Sequence, residues 1–333
     1  MSLRTRDLLD AVHWVANDQD GLITAAQLDA IGIPRSTLSR RIRTGGQWRR
    51  VLPGTYCVFD GTLTISQRER AAMLFAGVDA VLTGASGLRR WGLEYLPANP
   101  NDAPVHSLIP AARHRKSAGF AIVERTQRMP SAQMIQGVPV APLARCLVDA
   151  ARRVTDRRST RAMTLEAIQR ELVSIDAVER ELRQAQRRGT ALIHDTLEEA
   201  RAGVRSAPEA ELRHLALAAG LPLIWWNPTM WTPDDNFLAM PDGVVVESMA
   251  VIEVQSRQYH DGDEQFAATL NRVDVLGQHG LLVSHVVPGV LRRDPVGTLR
   301  AIRETHLEAL ARPRPDLRVK DSRGVRPRRL STP

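Results

Sequence analysis

The sequence contains little cysteine and no long apolar segment. Its only cysteines, Cys57 and Cys146, lie far apart and have no His or Cys neighbours at metal-ligand spacing. A disulfide framework or a zinc site is therefore not expected, and a reducing cytosol suits the chain. The first residues lack the continuous apolar core of a signal peptide. The most apolar run, residues 215–226, is short and is broken by Gly220 and Pro222, so we expect a cytoplasmic protein with no membrane span.

Lysine is nearly absent, although the chain is strongly basic. Of its 45 basic residues only Lys116 and Lys320 are lysine, and the net charge is +8. A basic protein favours a polyanionic partner over a cationic one. The codon bias of a GC-rich genome also produces an arginine excess, so the number of arginines does not identify a partner by itself. Their placement along 333 residues, a length that predicts two or three domains, is more informative.

Acidic residues are absent from one stretch near the N-terminus. None occurs between Asp29 and Asp60, whereas six arginines do. Leu38 and Ile42 lie four residues apart, as on the buried face of a helix. Arginine can bond guanine through two hydrogen bonds, and serine can donate or accept one. The opposite face of the helix carries the residues that we predict to enter the major groove of DNA: Arg35, Ser36, Ser39, Arg40 and Arg43.

Neighbouring signals complete a predicted winged helix-turn-helix over residues 1–60. Thr24 and Gln27 have the spacing of a capping box, which opens a short helix. Gly32 provides a turn, and Pro34 stands where the next helix begins. Three helices, the last two separated by a tight turn, are typical of a helix-turn-helix.

The wing is predicted at residues 48–59. Gly45-Gly46 is expected to end the preceding helix, because glycine adopts the left-handed conformation of a helix terminus. Two short strands joined by a Pro-Gly turn then form a hairpin. Arg49 and Arg50 on its first strand are predicted to contact phosphates or the minor groove. The alternative is a small helical domain with a solvated arginine face.

Residues 61–153 predict a mixed α/β domain, and residues 154–204 predict a helical connector or a dimer contact. Helix-like and strand-like segments alternate in the first of these regions. No catalytic constellation is visible there, because His106, Glu124 and Asp149 are single polar residues among apolar neighbours. We expect these three to be capping or surface groups.

The N-terminal half resembles the AbiEi-type antitoxins of abortive-infection toxin–antitoxin loci. The resemblance covers residues 5–153 and depends on the order of several loose motifs. They are TAAQLDAIGIPRSTLSRRI, WRRVLPGTYCV, AVLTGASGLRRWGL and VPVAPLARCLVDAAR. The resemblance implies a winged-helix DNA reader followed by a domain used in regulation or partner contact. It makes double-stranded DNA the expected partner, with a cognate toxin and a second copy of the chain as further candidates.

The order of predicted elements changes in the last third. A helix, several strands, a helix, a strand and a helix predict a small mixed sheet covered by helices. This order over residues 205–310 is similar to the PD-(D/E)XK restriction-endonuclease fold, in its very-short-patch-repair-like branch. The resemblance matches Glu209 to that branch's helix glutamate, Glu253 to the glutamate of its Glu-x-Asp-Gly motif, and His260 to its aromatic-His pair.

Two departures from that pattern predict a degenerate active site. The first-strand aspartate falls at Asn236, and the second acid of Glu-x-Asp-Gly falls at Gln255. A nuclease of this kind holds Mg²⁺ between carboxylates, which neutral amides replace poorly. Asp235 could replace Asn236 only through a bulge or a register shift, because neighbouring strand residues point to opposite faces. Asp242 could do so only if the strand alignment shifts. We expect no catalytic residue, no metal and no cofactor, with Mg²⁺ needed only if the site is active.

Residues 311–333 are rich in arginine and proline and predict a basic disordered tail. Such a tail could contact phosphates or the minor groove, or it could simply be solvated. The sequence does not distinguish these two uses.

Together these patterns predict an α+β multidomain protein. It has an N-terminal winged helix-turn-helix, a mixed α/β middle domain and a C-terminal restriction-endonuclease-like α/β domain. The leading interpretation is a sequence-specific double-stranded DNA-binding protein, acting as a transcriptional regulator or antitoxin-like repressor. The alternative is a metal-dependent DNA endonuclease that its winged helix-turn-helix targets to DNA. A third interpretation is neutralisation of a toxin by the middle domain.

Overall fold

The computed structural model describes residues 5–43, 45–96, 103–255 and 274–321. Helices and strands mix along these ranges, and the strands form four sheets, as expected for an α+β protein. The residues predicted as a connector are shared between two compact units. These units are Met1–Met163 with Leu172–Leu192, and Thr164–Glu171 with Ile193–Pro333.

The first unit begins with the predicted winged helix. Its strands form a three-stranded sheet in the order β1-β3-β2. The helices bury Val12, Leu28 and Trp48 in a common core. Only β1 is not predicted from the sequence, because three residues are too few to show a strand pattern. The elements are α1 (Thr5–Asn17), β1 (Leu22–Thr24), α2 (Ala25–Ile31), α3 (Arg35–Ile42), β2 (Arg49–Leu52) and β3 (Thr55–Cys57).

The capping box that opens α2 is confirmed. The Thr24 side chain accepts a hydrogen bond from the backbone N–H of Gln27, and the Gln27 side chain accepts one from the backbone N–H of Thr24. Gly32 ends the helix with φ +90°, a left-handed conformation that glycine adopts without steric cost. Both ends of α2 are therefore fixed by local sequence.

The predicted end of α3 is wrong. Gly45-Gly46 does not cap the helix, because Arg43 already has an extended backbone with φ −69° and ψ 166°. Instead, a residue beyond the loop satisfies a carbonyl of the last helical turn. The Trp48 N–H donates a hydrogen bond to the Arg41 carbonyl at 3.0 Å. Arg43 therefore lies just after the helix and is not part of its exposed face.

The rest of the first unit is built on a five-stranded sheet in the order β6-β5-β4-β8-β7. Within it β5 and β6 are parallel, and β4 pairs antiparallel with β5. A helix of the predicted connector, α8, also belongs to this unit. The elements up to that point are α4 (Ile65–Ala76), β4 (Val81–Thr83), α5 (Gly84–Arg90), β5 (Val105–Pro110), β6 (Ala121–Thr126), β7 (Gln133–Ile135), β8 (Val138–Val140), α6 (Leu143–Ala151), α7 (Arg157–Gln169) and α8 (Ile175–Gln184).

Three residues predicted to be capping or surface groups belong instead to an ion network. His106 and Asp149 are buried, and His106 Nε2 lies 3.2 Å from Glu124 Oε2. Arg145 Nε donates to Asp149 at 2.7 Å, and Arg153 donates to Glu124 at 2.8 Å. Burial lowers the pKa of His106, and the hydrogen bond with His106 lowers the pKa of Glu124. The sequence does not show this network, because most partners are distant along the chain.

The second unit contains a four-stranded sheet in the order β14-β13-β12-β9 and a three-stranded sheet in the order β11-β10-β15. In the larger sheet β9, β12 and β13 pair antiparallel, while β14 is parallel to β13. The elements are α9 (Ala191–Arg201), α10 (Ala207–Ala218), β9 (Ile224–Trp226), β10 (Thr229–Trp231), β11 (Phe237–Ala239), β12 (Gly243–Val245), β13 (Val251–Val254), β14 (Val283–Val286), α11 (Pro288–Arg293), α12 (Pro295–Leu310) and β15 (Arg318–Lys320).

Two predictions near the C-terminus can be compared with the structure only over the residues that it describes. Of the helix expected at residues 263–279, only residues 274–278 are described as helical. The tail expected to be disordered from residue 311 contains β15, which pairs with β10, so that prediction is wrong for this part. Residues 322–333 lie outside the described residues. Within the described ranges, no helix has the length and apolar character needed to cross a bilayer.

Candidate nucleic-acid interface and a carboxylate cluster

The outer face of α3 presents the side chains predicted to read DNA. Leu38 and Ile42 pack against the core of the winged helix, as their spacing requires. The opposite residues are exposed, and no acidic residue stands among them. These residues are Arg35, Ser36, Ser39, Arg40 and, just beyond the helix, Arg43. The helix is only eight residues long, and it fixes this face through its two apolar contacts.

The wing places its two arginines differently. Arg49 and Arg50 are exposed on β2, which is the edge strand of its sheet. The guanidinium of Arg49 donates to the Gly61 carbonyl at 2.6 Å. Arg50 lies opposite Tyr56 in the strand register. Arg49 is therefore partly engaged within the chain.

Arg41 connects α3 to the wing, a role that the sequence patterns do not indicate. Its guanidinium lies 5.1 Å from the centroid of the Trp48 ring and donates to the Gln47 side chain. Its carbonyl accepts from the Trp48 N–H at 3.0 Å. Trp48 is buried in the core, so Arg41 holds the end of α3 against the start of β2. In the sequence, Arg41 differs from the other arginines of α3 in its position, which falls between the exposed face and the apolar face of the helix.

In the second unit, Glu209 and Asp242 come together through Asn227. The Asn227 side-chain amide donates to Glu209 at 2.6 Å, and the Asn227 N–H donates to the Asp242 carbonyl at 2.9 Å. Burial raises the pKa of Glu209 to about 7, and the charge of Asp242 adds to that rise. The charge of Asp242, just before β12, therefore affects the ionisation of Glu209 on α10.

Asp242 also lies next to Glu253. Gly243 pairs with Ile252, and one further step of the same antiparallel register sets Asp242 opposite Glu253. The Asp242 carboxylate accepts from the Val254 N–H at 2.7 Å. Glu253 is buried on β13. Glu209, Asp242 and Glu253 thus lie at the same end of the four-stranded sheet, and we call them the carboxylate cluster.

Asn236 does not lie at this cluster, which corrects the sequence-based alignment. It is exposed in the turn before β11, and β11 belongs to the three-stranded sheet. Asp235 lies in the same turn with φ +59° and pairs with Arg318 at 2.7 Å. The residue beside Glu253 is Asp242, because β12 rather than β11 is its neighbour in the sheet. The spacing of eleven residues between Asp242 and Glu253 is a signal that could have found it.

The remaining matched positions are only partly described. Gln255 follows β13 and donates its N–H to the Val286 carbonyl at 2.9 Å, two residues from Glu253 and so on the same side of the strand. His260 lies outside the described residues. Among the residues that the structure does describe, no three His, Cys, Asp or Glu side chains have the arrangement of a metal site.

Comparison with protein families gives a match in the N-terminal region. Residues 15–58 match the family model described as transcriptional regulator, AbiEi antitoxin. The matched range runs from within α1 to just past β3, so it covers the winged helix and none of the carboxylate cluster. A search of curated proteins gives no match to the chain.

Proposed function

We propose that this chain is a sequence-specific double-stranded DNA-binding protein, a transcriptional regulator of the AbiEi antitoxin type. The observation that carries the proposal is the exposed face of α3, where arginine and serine side chains stand together without an acidic neighbour. The family match over residues 15–58 supports the same function. The edge strand β2 beside this face suits the wing of such a protein.

In this proposal α3 lies in the major groove. Arg35 and Arg40 bond guanine edges, and the two serines between them bond whichever donor or acceptor they meet. Arg43 and Arg50, beyond the helix and on the wing, contact phosphates and fix the orientation of the protein. Arg49 contributes less, because its guanidinium is already bonded to the chain.

The experiment that tests this function uses the full chain and a pool of randomised DNA duplexes. We expect selection to yield one sequence motif, which the protein binds in a salt-dependent way. Arg40→Ala should relax the preference at one or two positions of that motif. Arg300→Ala, an exposed arginine of α12, is the matched control and should change nothing. Enrichment of no motif would end the proposal of sequence-specific binding.

The second candidate function is a metal-dependent DNA endonuclease, and the carboxylate cluster favours it. Asp242 restores a carboxylate beside Glu253, where the sequence alignment put the amide of Asn236. Asp242 and Glu253 offer the carboxylate oxygens that Mg²⁺ prefers, and a bound Mg²⁺ would link them to a phosphate and activate water. The expectation of a degenerate site now depends on Gln255, a neutral residue where the similar family has an acid. The sheet order of β9, β12, β13 and β14 is compatible with that family's fold.

Plasmid incubated with Mg²⁺ or Mn²⁺ distinguishes the two candidates. If the chain is a regulator alone, the plasmid stays intact. Cleavage that disappears in both Asp242→Asn and Glu253→Ala, but persists in Asn236→Ala, would establish the nuclease. Asn236→Ala is the matched control, because that residue is exposed and lies away from the cluster.

A further inference from the structure

The three-stranded sheet of the second unit has one buried face and one exposed face. On the buried face, Met230 is opposite both Ala239 and Val319, and all three pack in one apolar core. Because side chains alternate along a strand, Trp231 and Arg318 point away from that core. They are opposite each other in the register of β10 and β15. Lys320, opposite Thr229, shares the outer face.

A β-bulge brings a second aromatic ring to this outer face. Ala239 is opposite Met230, yet Phe237 is opposite the next residue, Trp231, so β11 advances two residues for one on β10. Leu238 is the extra residue and packs towards the core. Without the bulge Phe237 would share the buried side with Ala239. Bulges commonly redirect a side chain in this way beside functional sites.

Several contacts hold the aromatic side chains of the outer face in place. The rings of Trp231 and Phe237 meet edge to face, with centroids 5.5 Å apart. The Trp231 Nε1–H donates to the Thr229 hydroxyl at 3.0 Å, and the Lys320 ammonium lies 4.6 Å from the Trp231 centroid. Phe237 is nevertheless 59% exposed, so a ring face remains open to solvent. A held aromatic side chain with an open face is what base stacking requires.

Two cations stand beside these rings. Lys320 and Arg318 stand on the outer face, and Asp235 is already paired with Arg318 at 2.7 Å. Asp234 in the same turn is the opposing charge that remains. Lys320 and Arg318 thus provide positive charge directly beside the aromatic pair.

The same two chain segments also reach the carboxylate cluster. Asn227, which bonds Glu209, comes two residues before β10, and Asp242 comes three residues after β11. A spacing of two or three residues spans at most about 10 Å of extended chain. Asp242 therefore lies within about 10 Å of the end of β11.

We propose that the outer face of β11-β10-β15 is a binding site for unpaired nucleic acid. Phe237 stacks a base, Trp231 supports that ring, and Lys320 and Arg318 contact the flanking phosphates. Its aromatic rings match bases only when those bases are unstacked. This site is separate from α3 and does not depend on the function proposed for the winged helix.

The test measures binding of fluorescein-labelled dT12 to the full chain by anisotropy, with a 12-base-pair duplex as the second probe. We expect Phe237→Ala to weaken dT12 binding about tenfold, the loss of one stacked base, and to leave duplex binding unchanged. Phe237→Trp should retain binding, because it preserves the ring face. Leu307→Ala is the matched control, since that side chain of α12 is 58% exposed and apolar.

Three outcomes would overturn the proposal. One is no binding of dT12 by the unaltered protein, and another is equal binding by Phe237→Ala. The third is loss of dT12 binding in Arg40→Ala, which would assign the single strand to the winged helix. An abasic strand of the same length separates stacking from phosphate contact and should bind more weakly than dT12. Failure of sequence-specific duplex binding would leave these results unaffected, so the two proposals fail independently.

Discussion

Glu209 is a buried acid whose ionisation opposes folding. Its carboxylate accepts hydrogen bonds from the Ser206 hydroxyl and from the Arg205 N–H, yet burial and Asp242 raise its pKa to about 7. The folded chain therefore holds a proton that the unfolded chain releases at lower pH. Below the unfolded pKa both states are protonated, and the residue does not affect the pH dependence of stability.

Replacing Glu209 with Gln should make stability less sensitive to pH. In the unaltered protein the contribution of Glu209 to the free energy of unfolding should fall as pH rises from 4.5 to 7, by about 3 kcal/mol at most. Glu209→Gln should lose hydrogen bonds, which changes the free energy of unfolding by a similar amount at every pH. It should also remove the fall in that free energy between pH 4.5 and 7. Urea unfolding at pH 5, 6, 7 and 8 measures the difference between the two proteins. A constant difference across these pH values would contradict a raised pKa at Glu209.

The wing arginines should differ in their effect on DNA affinity. Arg50→Ala removes a phosphate contact and should lower the slope of log affinity against log salt by about 0.9. Arg49→Ala should lower it less, because its guanidinium is bonded to the Gly61 carbonyl. Fluorescence anisotropy on the selected duplex at several salt concentrations measures both slopes. Equal slopes for the two variants would argue against this assignment.

At the level of the element, α3 depends on α2 and on the wing for its position. Thr24→Ala removes the hydroxyl that caps α2 and should cost about 1 kcal/mol of unfolding free energy. Thr24→Ser keeps the hydroxyl and serves as the matched control. Urea denaturation at neutral pH measures both, and an equal loss for the two would show that the methyl contact matters instead.

Arg41 should affect DNA binding by holding α3 in position rather than by contacting DNA itself. Arg41→Met keeps the length and apolar stem of the side chain but removes its charge from the Trp48 ring and its bond to Gln47. We expect affinity to fall by a similar factor on selected and unrelated duplexes, with the salt slope kept. Arg41→Lys should recover part of the affinity, because it restores a cation over the ring. A salt slope reduced as in Arg50→Ala would mean that Arg41 contacts a phosphate.

The sequence predicts these elements where the signal is local. The capping box, the glycine turn and the four-residue spacing of Leu38 and Ile42 each involve neighbouring residues, and the structure retains all three. The end of α3 is missed because Trp48, beyond the loop, replaces the expected glycine cap. The partner of Glu253 is missed for a similar reason, since the pairing of β12 rather than β11 with β13 is decided by the whole sheet.

On the scale of the whole molecule, α7 contributes to more than one core. Its residues up to Met163 belong to the first unit and those from Thr164 to the second, where Leu165 packs against Trp226 and Ile252. Leu165→Ala should destabilise by about 2–5 kcal/mol through the cavity it leaves. Hydrogen exchange should show lost protection in β9 and β13 but not in β1 and β3. Uniform loss over both sets of strands would mean that the chain unfolds as one cooperative body.

The division of the connector also affects the order in which the chain can fold during synthesis. Glu181 of α8 bonds Arg128 and lies 3.6 Å from Arg145, so these two arginines of the first unit lack that partner until residue 181 has been made. N-terminal domains usually fold first as they leave the ribosome. Here the ribosome has already produced the start of the second unit, residues 164–171, before the first can close. A pause in translation shortly after residue 163 would therefore leave the first unit incomplete, whereas a pause after the chain up to residue 192 has left the ribosome would not.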